Sequence, residues 1–226
     1  MTTNRREFIE RLGATAMVGA LPLALTGRDV LAMSVPTSAS EWDTSWMATV
    51  RARAHKAIFD VPAVDSGYGI WRAGMWESQH SEALGTKPSD LITVLVLRHD
   101  GIALAFNQDY WAANKLGAAT NAMHPITQQG TEKNPALLTS TNGGGVPAMV
   151  DGFALPAQIA HGTIVLACNV ALGFHAQEIA AKANIPVDTA MAHAKAALLP
   201  GIKIQPSGVF ACVAAQEAGC QYVRAS

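Results

Sequence analysis

The sequence predicts a single α/β domain: a mainly parallel β-sheet with helices on both faces. Three observations carry this. From about residue 56 onward, strand-like apolar runs alternate with stretches of helical spacing, the pattern of parallel sheets joined by helical crossovers. "LITVLVL" (91–97) and "TIVLAC" (163–168) are apolar at nearly every position, as strands covered on both faces are. The chain has 226 residues and is 50% hydrophobic, ample for one sizeable core. No internal repeat and no second domain is visible.

Taken in order, residues 1–39 read as an export signal with a short linker. "TNRREFIERLGATAMVGALPLALTG" opens with Arg5 and Arg6, followed by Phe8 and Ile9 and a mildly apolar run from Gly13 to Leu25. It has the look of a twin-arginine signal, with Glu10 where a lysine is common. The run is too short to span a bilayer comfortably, so no stable membrane span is expected in the mature form. Small residues place cleavage after Ala32 or Ala39. An uncleaved anchor and a fortuitous Arg-Arg are the alternatives. The expected destination is the periplasm, with the twin-arginine translocase as a partner through Arg5 and Arg6.

The domain then covers residues 40–226. Trp42, Trp46 and Val50 fall four apart, which predicts a short amphipathic helix packed on the main body. "KAIFDVP" (56–62) is a first strand, stopped by Pro62. Ile70, Trp71, Gly74 and Met75 have helical spacing, with Gly85 as the cap. The second strand ends at Arg98, His99 and Asp100, and Gly101 turns the chain. Residues 107–152 break the pattern. They are rich in Thr, Asn, Gly and Pro, which predicts a loop-rich excursion outside the sheet. Beside it, Tyr110 and Trp111 look exposed, suited to a pocket or a subunit contact.

Order returns with a short helix in "FALPAQIAHG" and the strand "TIVLACN". Helices follow in "GFHAQEIAAKAN" and "VDTAMAHAKAALLPG", the second with Val187, Ala190, Met191 and Ala194 at helical offsets. "IKIQP" is a strand. "SGVFACVAAQEAG" is a helix with Ser207 as N-cap and Gly219 just beyond its end, and "CQYVRA" is a final short strand.

The formal net charge of −1 excludes the basic balance of a nucleic-acid binder. Three cysteines are too few for a disulfide scaffold and odd in number. Cys168 ends an apolar strand with Asn169 beside it, in the turn before the next helix. Ligands of open α/β sheets sit at that end, and helix N-terminal amides favour a thiolate there. Two readings stay open: a reactive or ligand-binding thiol, and a small buried hydrophobe. Cys212 shares a helix face with Val209, Val213 and Gln216 and reads as a core thiol. A Cys212–Cys220 disulfide cannot be decided from spacing.

None of the seven histidines forms a helical metal motif. His99 and His175 are the weak metal candidates, since both fall near the strand ends and could converge on Cys168; unrelated surface imidazoles are the bland reading. "TNGGGVPAM" (141–149) has three glycines in a row but no phosphate-loop context, which predicts a flexible loop. No cofactor is expected.

From "TIVLACN" through "LLPGIKIQPSGVFACVAAQEAGCQYVRA" the order of features resembles the DsrE/DsrF-like family of small flavodoxin-like α/β proteins. The features are Cys168 and Asn169, Leu198 to Gly201, Ser207 and Gly208, and Gly219 to Val223. The likeness covers roughly residues 160–224, is weaker over 55–106, and leaves out the tryptophan-rich leader and the excursion. It implies a parallel five-stranded core and a homo-oligomer, trimer or hexamer. Some members carry sulfur as a persulfide on a cysteine. The expectation is therefore an exported DsrE-like protein that handles thiols or sulfur through Cys168, with Asn169 in support. A non-catalytic oligomeric module for a small molecule or metal is the alternative.

Overall fold

The computed structural model of the protein describes residues 42–225. The segment with Arg5 and Arg6 and the expected cleavage points lies outside the described residues.

Helix α1 spans Trp46–Arg51 and buries Trp46 and Val50, the four-residue spacing doing what it predicts. Strand β1 (His55–Val61) follows, then α2 (Tyr68–Leu84), which ends on Gly85 in the left-handed region at φ 65°. Strand β2 (Leu91–Leu97) is buried at all positions. After an intervening stretch come α3 (Gln108–Ala113), α4 (Leu116–Ala119), α5 (Leu155–Ala160) and β3 (Ile164–Cys168). Helices α6 (Asn169–Ala183) and α7 (Val187–Ala196) lead to β4 (Lys203–Gln205). Helix α8 (Gly208–Glu217) and β5 (Gln221–Arg224) complete the order. Ser207 caps α8 by accepting the amide of Phe210 at 3.0 Å.

The five strands form one all-parallel sheet in the order β4-β3-β2-β1-β5. This is a flavodoxin-like α/β fold. The steps from β1 to β4 all run the same way, so right-handed crossovers place their helices on one face. There Phe59, Leu95 and Val165 pack against Ile70, Leu155 and Leu172. The step from β4 to β5 runs back to the far edge and puts α8 on the opposite face. That layer joins Ile58, Val94, Val96 and Leu166 to Ala211, Ala215, Trp46 and Val50. Strand β5 therefore lies beside β1, and Ala225 beyond it donates its amide to the Asp60 carbonyl at 2.9 Å.

Residues 107–152 contribute no strand to the sheet. They are nonetheless well anchored. Asn134 is fully buried, and its Nδ2 donates to the carbonyls of Leu104 (3.1 Å) and Phe106 (2.8 Å) while its Oδ1 accepts from the Ala136 amide. Trp111, expected at the surface, is completely buried. The expected flexible glycine loop is tied on two sides: His124 Nε2 is 2.6 Å from the Gly144 carbonyl, and Lys133 Nζ donates to Gly143. Glycine content alone did not reveal these tethers, because they come from side chains more than ten residues away or at that distance. Among the described residues no helix is long and apolar enough to cross a membrane.

Candidate functional site

Strand β3 hands the chain to α6 on one face of the sheet, and its neighbour β4 hands it to α8 on the other. Adjacent strands that part in this way create the crevice where open α/β sheets place ligands. Cys168 and Gln205 are register partners at that point.

The expected turn between strand and helix is absent. Helix α6 begins directly at Asn169, and Cys168 is itself the N-cap, its Sγ accepting the Ala171 amide at 3.3 Å. The spacing suggested a start near Gly173; the apolar Val170, Ala171 and Leu172 instead continue the helix back to the strand end. Asn169 is half-buried in the first turn. Cys168 is 6% exposed. Gln205 is fully buried and engaged, Oε1 accepting Trp46 Nε1 at 3.3 Å and Nε2 donating to the Asp43 carbonyl at 3.0 Å.

Beside this point lies an ionic cluster that sequence reasoning missed. Asp60 of β1 is 2% exposed and forms a two-pronged pair with Arg98: Nε donates to Oδ1 at 2.6 Å and Nη2 to Oδ2 at 2.7 Å. Tyr222 of β5 donates its hydroxyl to Oδ2 at 2.6 Å. Burial works against the Asp60 charge, but the hydrogen bonds from Arg98 and Tyr222 outweigh it and hold the carboxyl below its usual range. The hydrogen bond to Asp60 raises Arg98 and Tyr222 in turn. The Cys212 thiol faces the same carboxylate. Burial, and then the Asp60 charge, push its pKa up to about 12, so it is protonated at neutral pH and is no nucleophile. A charge in the apolar run "KAIFDV", followed by an arginine at the end of the next strand, was the signal available.

On α8 the expected stripe is corrected. Val209 is 69% exposed and Val213 is also exposed, while Ala211, Cys212, Ala214 and Ala215 face the sheet. Small residues let the helix lie close, and the valines project outward. All three thiols are free.

His99 is exposed, with φ 47°. His175 turns into a ring cluster with Phe106 at 4.9 Å and Tyr110, whose hydroxyl is 3.1 Å from Nε2. Burial lowers the His175 pKa and raises that of Tyr110 to about 12. The structure does not gather the two imidazoles with Cys168 into a ligand set: among the described residues no group of three His, Cys, Asp or Glu side chains could hold a metal. Two cavities lie at the amino edge of the sheet instead, one at the starts of β1 and β5, the other near Leu91 and His161.

Fold and site together define an open all-parallel α/β domain with a helix-capping thiol at its switch point and a buried carboxylate–guanidinium pair alongside. No family model, no curated protein and no solved structure matches the chain.

Proposed function

We propose that this chain is an exported DsrE/DsrF-like protein that carries sulfur on Cys168. The observation that carries the reading is the contact from the Ala171 amide to the Cys168 sulfur, at the carboxyl end of β3. An amide aimed at sulfur from a helix start is a contact that a thiolate uses. In the reaction, the Cys168 thiolate attacks the outer sulfur of a donor persulfide. The new S–S bond forms as the donor's S–S bond breaks, and the donor leaves as a thiolate that takes up a proton.

Access suits a protein donor better than a free small molecule. Val170, in the first turn of α6, and Val209 and Phe210, in the first turn of α8, are exposed at this same edge. They form an apolar rim for a docking surface. Phe174, 63% exposed, and Val213 add apolar surface on the same two helices, in keeping with a homo-oligomer, trimer or hexamer. Asn169 is the supporting residue next to the thiol. Export through Arg5 and Arg6 to the periplasm belongs to the same reading.

The test is persulfide loading. Incubation of the native protein with a polysulfide, followed by alkylation and peptide mass spectrometry, should add one sulfur at Cys168 and none in Cys168→Ser. A Cys168 that stays unlabelled until the chain is denatured removes the sulfur reading. The near-complete burial of Cys168 favours a second one, a non-catalytic oligomeric binding module in which the thiol only packs and caps. Native mass spectrometry tests the oligomer, and a monomer there would remove that part of both readings.

A further inference from the structure

The amino ends of β1 and β5 and the second half of α2 line a half-open cleft of about 300 Å³, bordered by His55, Lys56, Ala57, Trp76, His80 and Gln221 among others. It is at the opposite edge of the sheet from Cys168, so it stands or falls independently of sulfur chemistry. One wall is aromatic. The His55 and His80 rings lie 4.6 Å apart, and Trp76 meets His80 edge to face at 5.5 Å. Phe59 braces Trp76 from beneath at 6.2 Å. Ala57 and Val223 add apolar surface.

The ionisable residues of the lining, His55, Lys56 and His80, are all basic. Of the two glutamates on α2, Glu77 is turned away, accepting the Thr93 hydroxyl and lining the other cavity, and Glu82 is exposed and outside the lining. His80 also keeps its Nδ1 buried with no hydrogen-bond partner, an arrangement that calls for explanation in a native site.

We propose that this cavity binds a small aromatic carboxylate. A flat ring suits the Trp76–His80–His55 wall, and the carboxylate is matched by Lys56 with the Gln221 amide. The volume is at the small end of ligand pockets, which run from about 300 to 1,000 Å³, and so fits one ring rather than a cofactor. A transition metal is the weaker match. Two imidazoles supply half of a tetrahedral set, and the Lys56 charge opposes a cation.

Benzoate is the probe, titrated into the uniformly ¹⁵N-labelled protein, with benzamide as its uncharged isostere. The expected result is saturable shifts confined to the amides of residues 54–57, 76–80 and 219–223, with benzamide about tenfold weaker, the scale of a charge-assisted contact. Lys56→Gln should weaken benzoate by a similar factor and leave the melting temperature unchanged. Absent or scattered shifts, or equal binding of benzoate and benzamide, would overturn the proposal. So would a response to zinc chloride at these residues with benzoate silent, which would assign the cavity to a metal.

Discussion

Replacing Arg98 with methionine keeps most of the aliphatic stem that packs on Gly208 and removes the guanidinium that answers Asp60. The carboxylate stays 2% exposed and retains only the Tyr222 hydroxyl and the Cys212 thiol as side-chain partners. Breaking a fully buried ion pair by removing one partner costs about 3–5 kcal/mol. The Arg98 side chain is 23% exposed, so water can take part of its place, and about 2–3 kcal/mol is the expected loss here. For a domain of this length that lowers the melting temperature by about 5–10 °C. The loss should depend on pH. In the native protein the folded Asp60 pKa is depressed, so its contribution is present above the unfolded value near about 3.9 and fades as pH falls below it. Without Arg98, burial dominates and raises the folded pKa, so the variant sheds its penalty as Asp60 protonates. Urea denaturation at about pH 7 and about pH 4 should show the gap between wild type and variant shrinking. Adding Asp60→Asn should then recover part of the loss. A gap that is the same at both pH values, or strictly additive losses in the double variant, would refute the buried-pair reasoning.

Gly101→Ala should be among the most damaging small substitutions: its Cβ would stand 2.2 Å from the Val61 carbonyl oxygen, a backbone atom that cannot step aside. Thermal denaturation should report a loss of about 3 kcal/mol, and a change under about 1 kcal/mol would contradict the packing at the end of β1. Cys168→Ala removes both a buried sulfur and a helix cap, for about 1–2 kcal/mol; Cys168→Ser, which restores a capping oxygen, should lose clearly less in the same melts. With their pKa values pushed up to about 12 and about 11, Cys212 and Cys220 should resist iodoacetamide at neutral pH in the folded protein. Rapid native modification of either would show that the burial behind those shifts is wrong.

The strands were readable because both-face burial writes itself directly into composition: "LITVLVL" admits only one neutral-polar residue, Thr93, and β2 is buried from end to end. Caps were readable for the same local reason, since Ser207 and Gly85 act within a few residues of themselves. The ionic cluster was not. Asp60, Arg98 and Tyr222 are brought together only by the strand order, Asp60 and Tyr222 being 162 positions apart, and no local pattern encodes that order. Trp111 was misjudged because its neighbours Asn107, Gln108 and Asp109 look like surface, while the burial comes from packing of the whole excursion against the sheet. The cavity at the amino edge was equally hidden. His55, Trp76 and Gln221 sit on three separate elements and converge only once β5 is seated next to β1.

That seating has a consequence for how the chain comes off the ribosome. β5 is made after the other four strands, yet it belongs next to the first. Until it arrives, β1 has an unpaired edge, the Asp60 carboxylate is short of the Tyr222 hydroxyl, and the Asp60 carbonyl is short of the Ala225 amide. A nascent chain that has emerged only as far as β4 can collapse around β2 and β3 but carries a sticky border on its oldest strand. Contacts this far apart in sequence are the slow ones to form. Final locking therefore waits for β5, and a chain stopped at about residue 219 should behave as an aggregation-prone intermediate rather than as a slightly shortened protein.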